Sequence, residues 1–206
     1  MQVQNNKEEI PFAHYCARYR CFIPEEAAER CGVPFDTEKN EFEMILLGVK
    51  YWLSWPEYAI RAEREDAFAL KSLPCQTFLL RFLLEGKRAG AQGRFVTFRE
   101  MPWGEMYIGP YTGRCLTRAA FTFGTRVAQF RAACKKMGAA ALKHGDAGYQ
   151  FDLLGGYVMQ IMVWEGDEEF APTAQILYSE NFADGFAAED RVVAGDILIS
   201  AIKQQM

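Results

Sequence analysis

The sequence predicts one α+β domain in which a mainly antiparallel sheet is flanked by helices. Half of the 206 residues are hydrophobic, which is enough for a single well-buried core. Short apolar runs rich in aromatic and branched residues predict strands, whereas other stretches space their apolar residues as helices do. Residues 157–178 combine two apolar runs with a dense acidic turn, a pattern typical of two central strands. We assign residues 1–35 to an N-terminal helical segment and residues 36–206 to the sheet-and-helix core.

The N-terminal part is expected to begin with two helices and to continue with a strand pair. Apolar residues at helical spacing predict a helix over residues 11–19. Pro24 suits the first turn of a second helix, and Gly32 lies where that helix is expected to end. Residues 42–47 and 49–55 are rich in aromatic and branched side chains, so we expect two adjoining strands there.

The middle of the chain is predicted to be mainly helical. Residues 61–66 are charged and are expected to form a surface connection. Residues 77–84 are so strongly apolar that we expect a helix buried on most of its circumference. Residues 116–137 carry an amphipathic stripe that is interrupted at Gly124 and Thr125. Two consecutive helices are therefore predicted, and Thr125 is a candidate cap for the second.

Residues 95–111, named here the aromatic segment, do not fit a single regular element. The segment is expected to begin as a strand, but Pro102, Gly104, Gly109 and Pro110 argue against long regular structure. We therefore predict a long loop rich in Trp and Tyr. Such a loop is a reasonable place for function or for a lid over the core.

The C-terminal part predicts three strands and a final helix. Residues 149–153 and 157–164 are expected to pair as a hairpin around Gly155-Gly156, because paired glycines tolerate the positive φ of a two-residue turn. Residues 173–178 form the next predicted strand. The last predicted helix covers residues 187–203 and begins with acidic residues, which favour the positive end of the helix dipole.

Charge and hydropathy argue against several classes of partner. The net charge is -4 and no basic block is present, so nucleic acid is not an expected partner. The longest apolar run, residues 157–164, is too short to cross a bilayer, so no membrane partner is expected. The polar N-terminus has no apolar stretch of the kind a signal peptide needs, and we therefore expect a cytoplasmic protein.

The cysteines do not form a recognisable metal or redox motif. No pair has the C-x-x-C spacing of such sites, and we expect reduced thiols that pack as small hydrophobic side chains. No cofactor and no metal ligand set is predicted from them. The six are Cys16, Cys21, Cys31, Cys75, Cys115 and Cys134.

Residues 164–169, named here the acidic turn, are the densest charge cluster in the chain. Gly166 allows the backbone to turn tightly between the carboxylates. One interpretation is structural: Asp167 accepts backbone N–H bonds, while a glutamate pairs with Arg94, Arg99 or Arg114. A second is a surface for a ligand or partner. A third is a Ca²⁺ or Mg²⁺ site, although the spacing of a helix-loop-helix calcium loop is absent.

The aromatic segment and the acidic turn together form our candidate ligand site. If Trp164 faces the aromatic segment, aromatic walls with acids and arginines at the rim would have the composition expected of a small-molecule pocket. Packing of Trp164 at the edge of the core is the alternative. The candidate ligand-binding residues are Arg99, Trp103, Tyr107, Tyr111, Trp164, Glu165, Asp167 and Glu169.

Several motifs resemble a bacterial and archaeal family, domain of unknown function 3786. They are WEGDEEF, the following AP and ILYSENF, the AED that opens the last helix, and GRFVTFREMPWGEMY. The resemblance covers the chain from about Pro24 to the C-terminus. Some relatives appear with an iron–sulfur module, which implies an accessory role in anaerobic redox or one-carbon metabolism. No matching cysteine cluster is present here, so that cofactor is not expected.

The leading functional hypothesis is a cytoplasmic accessory or binding domain. It would recognise a small ligand or a protein partner through the aromatic segment and the acidic turn. One alternative is a carboxylate-dependent enzyme, with Glu165, Asp167 or Glu169 as general base and with or without a divalent metal. Another is a purely structural or assembly role. The sequence leaves the catalytic residues of such an enzyme and the oligomeric state open.

Overall fold

In the computed structural model, which describes residues 7–206, the strands form one mainly antiparallel sheet. Along its main path the order is β4-β3-β2-β7-β8-β9-β5, with β1 paired to β2 and β6 paired to β7. The strands are β1 (Phe35–Asp36), β2 (Glu41–Leu46), β3 (Val49–Ser54), β4 (Ile60–Ala62), β5 (Phe95–Thr97), β6 (Ala140–Leu142), β7 (Ala147–Leu154), β8 (Tyr157–Trp164) and β9 (Thr173–Ser179).

The helices complete an α+β architecture, which confirms the predicted fold class. They are α1 (Glu9–Tyr19), α2 (Pro24–Cys31), α3 (Leu73–Glu85), α4 (Gly104–Tyr111), α5 (Arg118–Phe123), α6 (Val127–Lys136), α7 (Phe182–Gly185) and α8 (Ala188–Gln204). A π-helical turn, Thr112–Thr117, joins α4 to α5, and 3-10 turns cover Phe68–Lys71 and Phe98–Glu100. Within residues 7–206, no helix is both long and apolar enough to span a membrane.

The strands alternate buried side chains with more exposed, often polar ones, as expected where one face of an antiparallel sheet meets solvent. On the more exposed face, Gln160 donates to the side chain of Gln150 at 2.9 Å. The Lys50 ammonium pairs with Glu43 at 2.8 Å on the neighbouring strand. The helices therefore have one sheet face to cover, and the core lies between that face and the helices.

Most of the predicted elements are confirmed. Helix α2 ends at Gly32, whose φ of 64° is the left-handed conformation that glycine adopts easily. The β7–β8 hairpin turns at Gly155 and Gly156, with φ of 59° and 88°. In both places the local sequence chemistry determines the geometry.

The long loop predicted for residues 95–111 is wrong. After β5 and a 3-10 turn, the chain enters α4, which contains Pro110. Proline removes one helical hydrogen bond, but the neighbouring Tyr111 stacks on Phe98 with ring centroids 4.1 Å apart. Tertiary packing thus outweighs the local preference.

Two smaller predictions are also corrected. The connection predicted at residues 61–66 is in part strand, because β4 pairs antiparallel with β3 and extends the sheet edge. The predicted break at Gly124 is confirmed, but Thr125 does not cap α6. Its hydroxyl instead donates to the Phe121 carbonyl oxygen at 3.4 Å, which is backbone of the preceding helix.

The π-helical turn changes the spacing of the buried side chains. Tyr111, Cys115 and Ala119 are all buried and lie four residues apart, whereas a regular helix alternates steps of three and four. Gly195 of α8 lies against this turn. A Cβ there would lie 2.9 Å from Cys115 Sγ and 2.9 Å from the Tyr178 hydroxyl, so only glycine permits this approach.

The cysteines are free thiols, and four of the six are buried. Burial raises the pKa of Cys31 to about 11 and that of Cys115 to about 12. Protonated, buried thiols are poor nucleophiles, so these residues act as small core side chains, as predicted.

Candidate functional site

The start of α4 exposes three large apolar side chains. Trp103 is 70% exposed and Met106 is 73% exposed, and Tyr107 beside them is partly exposed. Trp103 also has a φ of 64°, a left-handed conformation that costs a non-glycine residue free energy. Large apolar groups exposed on a strained backbone are unfavourable in an isolated domain, so this surface is a candidate for a contact.

The backbone around these side chains is held firmly. Glu100 accepts hydrogen bonds from the backbone N–H of Thr97 at 2.6 Å and from its hydroxyl at 2.7 Å. Arg191 of α8 donates to the Pro102 carbonyl oxygen at 3.0 Å. A Cβ on Gly104 would collide with the Phe98 carbonyl oxygen, so α4 begins in close backbone contact with the preceding turn. The exposed surface is therefore pre-organised.

The aromatic segment holds two further candidate residues, Tyr111 and Arg99. Tyr111 lies apart from this surface, and Arg99 already has an ion-pair partner. Tyr111 points into the core, where burial raises its pKa above the usual range. Its ring contacts are with Phe98 and Tyr178. Arg99 pairs with Glu105 at 3.1 Å, and both side chains are exposed.

Hydrogen bonds within the acidic turn match the structural interpretation. One carboxylate oxygen of Asp167 accepts from the backbone N–H of Glu169 at 2.8 Å and of Phe170 at 2.7 Å. These bonds stabilise the ionised form and hold the pKa of Asp167 below its usual value. The backbone N–H of Glu165 donates to Asp146 at 2.8 Å. Within residues 7–206, no group of three or more acidic, histidine or cysteine side chains is placed to hold a metal ion.

Among residues 7–206, no ion pair joins the acidic turn to Arg94, Arg99 or Arg114, its predicted arginine partners. Arg99 pairs with Glu105, and Arg114 pairs with Asp196 of α8. The acidic turn contacts the α5–α6 junction instead, where the backbone N–H of Gly166 donates to the Gly124 carbonyl oxygen at 3.4 Å.

Trp164 lies at the end of β8 and is partly exposed. In the described part of the chain, no ring contact joins it to Trp103, Tyr107 or Tyr111. The eight candidate residues therefore lie at two separate surfaces and, for Tyr111, in the core. A single ligand site formed by the aromatic segment and the acidic turn stays a prediction.

A concavity lies away from both of these surfaces, between α1, α3 and α8. This α8 groove has a volume of about 460 Å³ and joins a second hollow of about 360 Å³ further along α8. Apolar side chains line part of it, with charged groups at both ends. The residues that line it include Tyr15, Thr77, Phe78, Arg81, Asp190 and Val193.

A buried ion pair lies in the wall of the α8 groove. Arg81 Nε and Asp190 Oδ1 are 2.9 Å apart, and their side chains are 14% and 7% exposed. The N–H does not point at the oxygen, so neither atom makes a hydrogen bond. The Arg81 guanidinium also lies over the Tyr15 ring, 5.3 Å from its centroid, and contacts Glu189 at 3.3 Å.

Burial raises the pKa of Asp190 to about 6. The nearby Arg81 guanidinium opposes this shift, while Glu189 and Glu85 add to it. Desolvation outweighs the ion pair because the two groups are close but poorly aligned. A carboxyl group that titrates near neutral pH in a concavity has the physical properties of a functional group.

The other end of the concavity carries two arginines around one carboxylate. Arg118 forms an ion pair with Asp196 and donates to the Ser200 hydroxyl at 2.8 Å. Arg114 approaches Asp196 at 3.4 Å from the π-helical turn. The two arginines are fixed relative to α8 by this shared acid.

Sequence reasoning missed the α8 groove entirely. Glu189 and Asp190 were interpreted only as acidic residues in the first turn of α8, which they are. The signal that could have found the site is Arg81, a charged residue inside the apolar run FLLRFLL. A cation on the buried face of a helix requires a partner elsewhere in the chain.

Comparison with curated proteins found no match, and comparison with solved structures found none. The model of one protein family, described as "Domain of unknown function (DUF3786)", matches residues 24–201. The match includes α3, the aromatic segment and α8 as far as residue 201, and α1 lies before it. Because the matched residues make up most of the chain, it belongs to the family of that description.

Proposed function

We propose that this chain is a binding domain whose small-molecule ligand occupies the α8 groove. The observation that carries the proposal is the buried Arg81–Asp190 pair in the wall of a groove of about 460 Å³. Small-ligand sites are concave and combine apolar walls with a few polar groups that fix orientation. The α8 groove has both features, and its volume is in the range of such sites.

The walls of the α8 groove come from elements that pack firmly. Val193 supplies apolar surface from α8, Tyr15 lines the groove from α1, and the buried Phe78 lies within the α3 wall. Phe78 also stacks on Phe186 with ring centroids 5.2 Å apart, so this wall is anchored in the core. A ligand would therefore find a largely pre-formed site and would lose little free energy to ordering the protein.

The test blocks the α8 groove from one wall. Ligand-observed NMR with a panel of small acids, amines, amino acids and sugars is run on the wild type and on Val193→Trp. We expect at least one class to bind the wild type and to lose binding in the variant, because the indole fills the middle of the groove. Phe121→Trp, at an exposed position of α5, is the matched control and should keep the binding.

Thr77→Trp fills the same space from α3 and covers the case in which Val193→Trp does not fold. The proposal is wrong if no class binds the wild type, or if a bound class still binds both blocked variants.

A second candidate function is contact with a protein partner through the start of α4. Trp103, Met106, Tyr107 and Pro110 are all exposed and follow the i, i+3, i+4, i+7 spacing of a helix that inserts into an apolar groove. The partner chemistry that fits is therefore a protein with an apolar groove, and the hot-spot residue would be Trp103.

A photo-crosslinking amino acid at position 106, in cells of the source organism, tests this second function. We expect one saturable adduct of defined stoichiometry that disappears on Trp103→Ser and persists on Phe121→Ser. Equal labelling in both serine variants would contradict a specific contact at this surface.

A further inference from the structure

The charges of the α8 groove are sorted by sign along its length. At one end Arg81 faces the carboxylates of Glu189 and Asp190. One cation between two anions leaves this end with one net negative charge. Glu189, whose side chain is 62% exposed, is the carboxylate of this end that a ligand reaches most directly.

The opposite end has the opposite sign. Where the groove meets the adjoining hollow, Arg114 and Arg118 share the single carboxylate of Asp196, which leaves one net positive charge. Lys71 lines the adjoining hollow and adds a further cation. Lys7 and Glu8 also line the groove and contribute one charge of each sign.

The two ends are joined by apolar surface of a definite length. Asp190 and Asp196 are six residues apart on α8, which corresponds to about 9 Å along the helix axis. Val193 lies midway between them on the same helix, and Phe78 lines the same stretch from α3. A ligand that lies along α8 would therefore meet an anionic end, an apolar middle and a cationic end.

We infer that the α8 groove binds a linear zwitterion, an amino carboxylate whose ammonium and carboxylate are separated by several methylene groups. The ammonium would lie at Glu189 and Asp190, the methylenes on Val193 and Thr77, and the carboxylate at Arg114. Guanidinium groups bind carboxylates through paired N–H donors, and buried carboxylates are suited to a compact ammonium. This inference rests on the proposed function, because it names the class of ligand for the same groove.

Isothermal titration calorimetry at neutral pH tests the inference with three probes of equal length. These are 6-aminohexanoate, which has both charges, hexanoate, which has only the acid, and hexylamine, which has only the amine. We expect 6-aminohexanoate to bind at least about tenfold more tightly than either single-charge probe, because it alone satisfies both ends.

Two variants should separate the ends. Asp190→Asn should weaken 6-aminohexanoate and hexylamine by about tenfold or more and leave hexanoate unchanged. Arg114→Met should weaken 6-aminohexanoate and hexanoate and leave hexylamine unchanged. Arg20→Met and Glu57→Gln, which change one member each of an exposed ion pair outside the groove, are the matched controls and should change no affinity.

The outcomes distinguish this inference from the proposed function. If 6-aminohexanoate binds no better than hexanoate or hexylamine, or if both variants weaken all three probes equally, the zwitterion inference is overturned. Should another class of small molecule still bind and lose binding in Val193→Trp, the α8 groove remains a ligand site. If no compound binds the wild type, both proposals fail together.

Discussion

The acidic turn and the α8 groove both gather carboxylates, but by different means. In the acidic turn, neighbours in sequence supply the charge, the side chains lie in solvent, and Asp167 is stabilised as an anion by the backbone N–H groups of its own turn. In the α8 groove, residues 109 positions apart (190 minus 81) form the ion pair, and burial disfavours the charge on Asp190. A dense run of acidic residues in the sequence can thus form a stable exposed turn. The strongly raised carboxyl pKa instead belongs to a residue that packing buries beside a charge from a distant part of the chain.

The comparison also bears on the enzyme hypothesis. The pKa of Asp167 lies below its usual value, so this group is a weak base at neutral pH. Asp190, with a pKa of about 6, is far better matched to proton transfer. If the domain catalyses a reaction, Asp190 is the carboxylate to test first.

Removal of Arg81 should have the largest effect on stability. Arg81→Met leaves the Asp190 carboxylate buried without its nearest cation. We therefore expect the free energy of unfolding at about pH 7 to fall by about 3 kcal/mol. Near pH 4 the loss should shrink, because Asp190 is then protonated. Urea unfolding of the variant and the wild type at both pH values measures this loss in the free energy of unfolding. Arg20→Met, in an exposed pair, should cost less than about 1 kcal/mol. Equal losses in the two variants would remove the contrast between the regions.

The pH dependence of stability should follow Asp190. Its folded pKa of about 6 lies above the usual 3.8, so the folded state binds more protons than the unfolded state between these values. The contribution of Asp190 to the free energy of unfolding is therefore fully present below about pH 4. It is lost as pH rises through 6, and the loss amounts to at most about 3 kcal/mol. Arg81, Glu85, Glu189 and Tyr15 face this carboxyl group and tune its titration.

Asp190→Asn isolates this effect, because asparagine resembles the protonated acid. The variant and the wild type should be equally stable near pH 4, and the variant should be the more stable above pH 6. A stability difference that is constant across this range would show that Asp190 titrates normally.

Loss of the Asp167 side chain should have a smaller effect. Asp167→Ala removes the acceptor for two backbone N–H groups, but water replaces it because the turn is exposed. We expect the thermal midpoint to fall by about 1–3 °C. Since the pKa of Asp167 is lowered in the fold, this contribution should vanish as pH falls below the usual aspartate range. Glu168→Ala in the same turn is the control and should leave the midpoint unchanged.

Divalent cations should have the smallest effect. The Asp167 carboxylate already accepts from its own turn, and the described residues gather no three metal-binding side chains. Millimolar Ca²⁺ or Mg²⁺, or EDTA, should therefore shift the thermal midpoint by less than about 0.5 °C. A saturable increase that is lost in Asp167→Asn would restore the metal hypothesis.

The sequence predicted those parts of the fold that local chemistry determines. Gly32 ends α2 and Gly155-Gly156 closes the β7–β8 hairpin, because both require backbone conformations that glycine tolerates. The helix through Pro110 was missed because its stability comes from the stack of Tyr111 on Phe98, which is a tertiary contact.

The site was less predictable than the fold. Trp103 and Tyr107 were identified from composition and are indeed exposed, but Tyr111 of the same segment is core. The Arg81–Asp190 pair could not be found by spacing, because α3 and α8 are distant in sequence and are neighbours only in the folded structure. Only the presence of arginine in an apolar helix pointed to a missing partner.

The π-helical turn at Thr112–Thr117 has a consequence for insertions and deletions. It holds one more residue per turn than the helices on either side, so it sets the rotational phase between Trp103 and Tyr107 at one end and Arg118 at the other. Deleting the one extra residue would convert the turn to regular helix and leave the segments on either side in the same rotational phase. Inserting a further residue in regular helix would instead rotate everything beyond by about 100°, and Arg118 would then leave Asp196. The length of this turn, more than its composition, keeps the exposed aromatic surface and the charged groove on their separate faces.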